Sequence, residues 1–199
     1  MRLILFTALL LTACATTQAT PPTQRWQAVA TDSDRQRLRD WRTAFAKALG
    51  QARAGGHAED VAREGRLLDP DGAIGGVPIP AGGYRCRTIK VGAKGDGMLD
   101  YVAYPAFRCR IEHGKAQRFT KLNGSQRPVG LIYPGDALRQ VFLGTLVLGD
   151  ETQAYQYGRD PDRDLAAWVE RIDERRWRMV FPYPHYESTL DVIELIPEQ

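Results

Sequence analysis

One short segment near the end of the chain contains the residue types used in acid–base chemistry. His185, Glu187 and Ser188 stand together and Asp191 follows, so a hydrolase could use His185 with Glu187 or Asp191. Adjacent positions do not by themselves build a catalytic triad, and the chain lacks a Gly-x-Ser-x-Gly nucleophile turn. An ordered corner between two strands, or a recognition loop of His185, Tyr186 and Glu187, explains the segment as well. We therefore assign no catalytic residue and do not expect an enzyme.

Metal and cofactor motifs are weak. The three histidines, His57, His113 and His185, lack the spacing of a zinc site. Residues 160–164 alternate carboxylates like the start of a calcium loop, but leucine and arginine replace the glycine and glutamate that such a loop needs later. We expect a solvated turn there, with a loose cation site as the alternative. No glycine motif for phosphate or dinucleotide binding follows a predicted strand, so no metal and no cofactor is predicted.

Two short segments repeat one pattern of arginine around cysteine. Residues 84–87 read YRCR and residues 107–110 read FRCR. Alternate residues of a strand point to opposite faces, so the arginines share the face away from the cysteines. The predicted cluster consists of Arg85, Arg87, Arg108 and Arg110. It would bind an anion, such as lipid phosphate or a partner's carboxylates; the alternative is ion pairing with Asp or Glu across the sheet.

The beginning of the chain predicts its location. Residues 1–13 combine one arginine with an apolar run too short to span a bilayer, as in a signal peptide. The ending Leu-Thr-Ala-Cys resembles the lipobox of bacterial lipoproteins, which implies that Cys14 is lipidated and anchors the chain. Ala15 follows the cysteine, which by the same resemblance favours the outer membrane, facing the periplasm. Residues 14–31 are then the lipidated cysteine and a flexible tether.

The remaining cysteines, Cys86 and Cys109, are predicted to form a disulfide. They are an even pair in what would be an oxidising compartment. A hairpin that pairs them directly has its centre near Gly97 and Met98, and residues 92–97 can supply the turn. Neither cysteine has a Cys-x-x-Cys neighbour, so a structural bridge is favoured over a redox-active one.

Length and charge restrict the class of protein. The chain has 199 residues, a net charge of +3 and 43% apolar residues, which fits one globular domain. This charge is too small and too dispersed for an obligate nucleic-acid binder, and we predict no nucleic-acid partner.

Periodicity predicts an α+β fold. Residues 32–54 have helical spacing of apolar residues, a short helical turn is possible at 58–68, and residues 69–83 form a connector rich in Pro and Gly. The region 84–197 alternates as strands, at 84–91, 101–112, 117–122, 128–134, 139–148, 153–157, 166–172, 175–182 and 189–196. The expected domain, 32–199, is an N-terminal helix packed on, or plugging, a small, predominantly antiparallel barrel. The polar segment 123–128 is predicted as a hairpin turn, with ligand recognition as the alternative.

Several blocks carry a resemblance to a known family. They are YRCRTIKVG (84–92), YVAYPAFRCRI (101–111), KLNGSQRPVG (121–130), VFLGTLVLGDE (141–151) and RWRMVFPYPHYESTLDVIEL (176–195). They resemble a bacterial lipoprotein family defined as domain of unknown function 4893, over about residues 41–197. That family implies no activity or catalytic residues for this chain. The barrel is also similar in architecture to lipocalin-like envelope proteins and periplasmic metalloprotease inhibitors, but fold does not imply function.

Three functional classes follow. The first is a non-enzymatic binding or inhibitor module on the periplasmic side of the outer membrane, anchored by its lipid, whose partner is an envelope protein or a small hydrophobic or anionic ligand. The second is a structural or assembly accessory of the cell envelope. The third is the hydrolase that uses His185. We favour the first, because it explains the predicted anchor, barrel and disulfide without a catalytic constellation.

Overall fold

Nine antiparallel strands form the main sheet of a computed structural model, which describes residues 25–114 and 116–198. The predicted signal peptide and Cys14 lie outside these residues. The helices are α1 (Trp26–Val29), α2 (Asp32–Arg39), α3 (Trp41–Ala54), α4 (Ala58–Arg63) and a 3-10 helix (Gly65–Leu68). The strands are β1 (Gly82–Ala93), β2 (Tyr101–Ala103), β3 (Phe107–Glu112), β4 (Gln117–Lys121), β5 (Gln126–Pro134), β6 (Arg139–Leu148), β7 (Asp164–Asp173), β8 (Arg176–Pro182) and β9 (Ser188–Pro197). None of the described helices is long and apolar enough to cross a membrane.

The sheet closes into a barrel of eight strands. From β3 to β9 each strand pairs with the next along the chain, and β1 pairs with β9 from Tyr84↔Pro197 to Ala93↔Ser188. The short β2 pairs only with one end of β1, whereas β3 pairs with the other end. Pro105 lies in the gap between β2 and β3, where it can offer no N–H to a ladder. The predicted α+β fold with a small antiparallel barrel is confirmed.

Two facing glycines let β5 and β6 come close together. Gly130 and Gly144 are Cα partners at inward-facing positions, beside the ring of Phe142. A Cβ on Gly144 would stand 2.3 Å from the carbonyl oxygen of Val129 and 2.5 Å from the Phe142 ring. The Val129 carbonyl oxygen belongs to the backbone and cannot rotate away as a side chain could. β5 and β6 therefore require glycine at these positions.

The helices pack outside the barrel. Phe45, Ala48 and Leu49 of α3 are buried against a cluster that includes Val91 and Val192 on the outer faces of β1 and β9. The predicted helix 32–54 is divided into α2 and α3 at Asp40, whose ψ of 8° is not helical. The helical turn predicted at 58–68 is present as α4 and the 3-10 helix.

The connector, rather than a helix, closes one end of the barrel. Ile79 is fully buried in the interior cluster. Its N–H donates to Gln140 Oε1 at 3.0 Å, and its carbonyl accepts from Gln117 Nε2 at 2.5 Å. These two inward-facing amides are joined by a further hydrogen bond of 2.8 Å. The closed end is therefore both filled and satisfied in its hydrogen bonds.

Two segments differ from expectation. Residues 153–157, predicted as a strand, belong to the loop between β6 and β7, because Tyr157 turns to the helices and its hydroxyl accepts from the Thr31 N–H at 3.1 Å. The expected tether was to continue to residue 31, but its described part contains α1, and Trp26 packs edge-to-face on Trp168 at 5.9 Å. This edge-to-face contact holds Trp26, and with it α1, against the barrel.

Candidate functional site

The open end of the barrel contains a cavity of about 380 Å³. Four connections meet at this end: residues 94–106, 122–125, 149–163 and 183–187. Deeper in the barrel, Phe119, Phe142 and Met179 are fully buried and fill the interior. Side chains therefore fill the lower half of the barrel, and the cavity occupies its upper half.

The cavity has two chemically different walls. The polar wall is formed by β9, β1 and β4, which contribute Asp191, Lys90 and Lys121. The apolar wall is formed by the next four strands, with Pro128, Leu146, Leu165 and Phe181. Phe107 on β3 and Ile193 on β9 also line the cavity. A cavity divided in this way fits a molecule with one polar and one apolar side.

Lys90 is buried and well compensated. Its ammonium lies 2.8 Å from Glu187 Oε2 and 3.6 Å from Asp191 Oδ2, and it donates to Gln126 Oε1 at 3.3 Å. Burial alone would lower the pKa of Lys90, but the two carboxylates outweigh it, so the pKa lies above its ordinary value. Lys90 is therefore a charged residue of the wall whose ammonium is already paired within the protein.

Asp191 is a partly buried acid in this wall. Burial raises its pKa, while the Lys90 ammonium and the Ser188 hydroxyl, which donates to Oδ1, limit the rise. Asp191 and Lys90 are also Cα partners across β9 and β1. The pair holds the polar wall together at the seam where the barrel closes.

Lys121 differs from Lys90 in its surroundings. Its Nζ lies over the Phe107 ring, 4.0 Å from the centroid. Among residues 25–114 and 116–198, no carboxylate oxygen comes within 4.0 Å of this nitrogen. Burial is the main cause that lowers the pKa of Lys121, and the positive charges of Lys90 and Arg127 lower it further. Cys109 and Cys86 act in the opposite direction and raise it. The cavity thus contains a half-buried ammonium without an acidic partner in the described chain.

The predicted recognition loop lies at the rim of this cavity, where His185, Tyr186 and Glu187 are all lining residues. Tyr183 and Glu187 have φ of 48° and 64°, a left-handed backbone that is strained for side chains of this size. Lys94 fixes the loop, because its ammonium donates to the carbonyl oxygens of Pro184 and His185. The loop is therefore fixed in this strained conformation, in which the Glu187 carboxylate contacts Lys90.

The residues considered for hydrolysis do not gather around His185. Glu187 and Asp191 both meet Lys90, whereas His185 Nε2 lies 3.4 Å from Asp162 across the rim and its ring contacts Tyr186 edge-to-face. The carboxylates that would orient an imidazole are thus engaged elsewhere. In the described part of the chain no three His, Cys, Asp or Glu side chains group as a metal site.

The four arginines of the predicted patch lie on the outer face of the barrel, as the alternation indicated, but they do not act together. Arg87 is bound to Glu64 at 2.5 Å and to Glu194 at 3.0 Å. Arg85, Arg108 and Arg110 are exposed, and Arg85 faces Arg108 across β1 and β3. Arg108 Nε also lies 3.5 Å from Glu198 Oε1, so within the described residues two of the four arginines, Arg85 and Arg110, have no carboxylate within 4 Å.

The two cysteines lie inside the barrel, but their predicted pairing is wrong by two residues. Cys86 is opposite Phe107, and Cys109 is opposite Tyr84. No bond joins their sulfur atoms in the structure, so the predicted disulfide is not found. Burial, and then a hydrogen bond between the thiols, raise the pKa of Cys86. The thiols are nevertheless neighbours, since they are diagonal on one face.

Sequence reasoning missed Lys90 and Lys121 as members of the site. The signal was available: alternation from Cys86 places Lys90 on the inner face of β1, and alternation from Phe119 places Lys121 on the inner face of β4. A lysine at an inward position near a strand end is unusual enough to indicate a site. The polar segment 123–128, considered for recognition, contributes Asn123, Gly124 and Ser125 to the lining.

The fold and the cavity define a class of protein, a small antiparallel barrel with an open, half-polar cavity at one end. The chain belongs to the family described as Domain of unknown function (DUF4893), whose family model matches residues 26–195. The match starts with α1 and ends within β9, so it includes every element that shapes the cavity. The resemblance to this family is confirmed. No curated protein matches the chain, and no solved structure does.

Proposed function

We propose that the chain is a non-enzymatic binding module that holds a small molecule in the barrel cavity. The observation that carries the proposal is the open cavity with one polar and one apolar wall. Its volume of about 380 Å³ is in the range of ligand sites, roughly 300–1,000 Å³. A barrel whose only task was structural would gain stability by filling this space.

The location that best suits this function is the periplasmic side of the outer membrane. The lipobox-like sequence ending at Cys14 supports a lipid anchor. Ten residues separate Cys14 from Arg25 at the start of the described chain, and the distance between these two Cα atoms is at most about 40 Å. The cavity would therefore stay near the lipid head groups, where amphipathic molecules are concentrated.

We also propose that Cys86 and Cys109 form a disulfide in that oxidising compartment. The support is their contact inside the barrel and their even number once Cys14 is lipidated. Thiol labelling of the denatured protein, with and without prior reduction, tests it. Labelling of both cysteines only after reduction supports the bridge, and equal labelling without reduction contradicts it.

Native mass spectrometry tests the binding function. The chain gently extracted from its own membranes is compared with a soluble version that lacks residues 1–14. A stoichiometric small-molecule adduct on both forms supports the proposal, and unmodified protein masses on both contradict it.

A cavity-filling variant sharpens the same measurement. Leu146 lies in the apolar wall, so Leu146→Trp should remove the adduct by occupying its space. Leu99 is 67% exposed and does not line the cavity, so Leu99→Trp is the matched control and should keep the adduct. Retention of the adduct by Leu146→Trp would place the ligand elsewhere.

A structural or assembly accessory of the envelope is the second candidate. The observation in its favour is the group of exposed arginines Arg85, Arg108 and Arg110 on the outer barrel face. Basic side chains in such a row suit a partner's carboxylates or lipid phosphates. The hydrolase receives no such support, because Glu187 and Asp191, the carboxylates predicted to act with His185, contact Lys90 instead.

A further inference from the structure

We propose that the ligand is an amphipathic anion, whose acid group pairs with the Lys121 ammonium and whose apolar part lies against the wall formed by β5 to β8. This inference rests on the proposed binding function and names the ligand class for the same cavity. It follows from three observations: the distribution of charge, the hydrogen-bond donors beside Lys121, and the volume.

Charge in the cavity is unevenly matched. The two carboxylates of the polar wall, Glu187 and Asp191, both lie within 4 Å of Lys90. Within the described residues neither reaches Lys121, whose neighbour is the face of an aromatic ring. A half-buried ammonium loses hydration without gaining an ion pair, and a ligand anion would supply one. The third carboxylate of the lining, Asp162, lies beside His185 instead, so none of the three carboxylates pairs with Lys121 within the described residues.

Further donors stand beside Lys121. Asn123 Oδ1 accepts the N–H of Arg108 at 3.0 Å, which leaves its amide NH₂ group free to donate. The loop glycine Gly124 is close enough that a Cβ there would be 3.5 Å from Lys121 Nζ. Arg127 is held by the carbonyl oxygens of Gly124, Gly149 and Glu151 and adds positive potential nearby. This corner of the cavity therefore favours a negative group.

The volume limits the size of the ligand. A cavity of about 380 Å³ corresponds to about a dozen water molecules at roughly 30 Å³ each. A molecule of about a dozen nonhydrogen atoms, such as a medium-chain carboxylate, matches that space. The apolar wall of Pro128, Leu146, Leu165 and Phe181 would bury its hydrocarbon part and add affinity with each methylene.

Calorimetric titration of the purified full chain tests the assignment with three probes: decanoate, decanol and acetate. We expect decanoate to bind about tenfold or more tightly than decanol, because a hydrogen bond to a charged group adds that much. Acetate, which has the acid group without the chain, should show no measurable binding. Equal affinity for decanoate and decanol would overturn the anion assignment.

Variants of Lys121 give the decisive comparison. Lys121→Met should lower decanoate affinity about tenfold and leave decanol affinity unchanged, and Lys121→Arg should restore most of the loss. Lys47 is exposed on α3 and does not line the cavity, so Lys47→Met is the control and should bind like the original chain. Unchanged decanoate affinity in Lys121→Met would overturn the proposal.

The two proposals fail in different ways. If the native protein carries an adduct but decanoate does not bind, the ligand class is wrong while the binding function stands. If neither the native adduct nor any probe is found, both proposals are wrong.

Discussion

Lys90 and Lys121 face the same cavity, and in the described chain only Lys90 has carboxylates within 4 Å of its ammonium. The two lysines therefore have different tasks. Lys90 joins Asp191 and Glu187 in a fixed ion-pair cluster, whereas Lys121 keeps its hydrogen-bonding capacity for something else. The pKa directions agree with this division, since the pKa of Lys90 is raised and that of Lys121 is lowered.

As the pH is raised, anion binding should weaken at a lower pH than it would with a lysine of ordinary pKa. Burial lowers the pKa of Lys121, and only its protonated form attracts the anion. Affinity should be constant while Lys121 stays protonated and should fall as the pH rises through its lowered pKa. Titration of decanoate over a pH series measures this. The residual affinity of Lys121→Met should lack this fall; a profile identical to that of the original chain would assign the titration to another group.

Removal of the rim carboxylate should strengthen anion binding. Glu187 is half-exposed and neutralises part of the charge of Lys90, so Glu187→Gln should raise the potential of the polar wall. We expect decanoate affinity to rise by up to about fivefold, the value of a partly exposed charge. Glu174→Gln, in the exposed turn at the closed end, is the control and should have no effect. Weaker binding in Glu187→Gln would mean that the carboxylate orients Lys90 for the ligand.

The buried Arg178 should be essential for stability. Its Nε donates to Glu170 Oε2 at 2.6 Å, and its Nη1 donates to the carbonyl oxygens of Arg66, Leu67 and Asp69. Arg178→Met leaves a buried carboxylate without its partner and should lower the free energy of unfolding by about 3–5 kcal/mol. Urea denaturation measures the loss.

Two comparisons qualify that result. Arg175→Met, in the exposed turn beside β8, should change the free energy of unfolding by less than about 0.5 kcal/mol. The double variant Glu170→Leu with Arg178→Met should regain part of the loss, because no charge is left buried. Equal stability of Arg178→Met and the original chain would show that the pair contributes no net stability.

Two glycine substitutions should have opposite signs. Gly144→Ala sets a Cβ 2.3 Å from the Val129 carbonyl oxygen and should lower the free energy of unfolding by about 1–3 kcal/mol through overpacking. Gly50 lies on α3, where an added Cβ would meet no atom within 4 Å, so Gly50→Ala should raise it by about 0.5–1 kcal/mol. Thermal or urea unfolding of both variants decides; a stable Gly144→Ala would mean that β5 and β6 can move apart.

The exposed arginines separate the two candidate functions. Reversal of charge at Arg85, Arg108 and Arg110 should leave decanoate affinity unchanged, because all three lie on the outer face. Loss of the exposed Arg108–Glu198 pair should lower the free energy of unfolding by no more than about 1 kcal/mol. If the chain serves as an assembly accessory, the same variant should lose a partner that co-purifies with the original chain. Reduced decanoate affinity would contradict the separation of the arginines from the cavity.

Strand alternation predicted which residues face inward better than it predicted the register. Cys86 and Cys109 both point into the barrel as expected, yet they are two residues out of direct pairing. A slip of two residues preserves the face of every side chain, so the hydrophobic pattern cannot detect it. The gap between β2 and β3 at Pro105 changes the pairing of β1 along its length, and only tertiary structure shows where.

Other features depend on contacts between distant parts of the chain. Ile79 lies in a Pro- and Gly-rich segment that is typical of a loop, and its burial depends on the amides of Gln117 and Gln140. The left-handed backbone of Glu187 has no glycine to indicate it. The cavity itself depends on the sizes of side chains from eight strands, which a single strand's pattern does not contain.

The seam between β1 and β9 has a consequence for the order of folding. The other pairings join strands that are close in the chain. This seam instead joins residues about 100 positions apart, such as Lys90 and Asp191, and distant contacts of this kind form slowly. The polar wall therefore does not exist until the barrel has closed. A molecule that binds this wall recognises the finished chain alone and draws the folding equilibrium toward it. Ligand supply would then control how much closed protein persists, as well as how much is occupied.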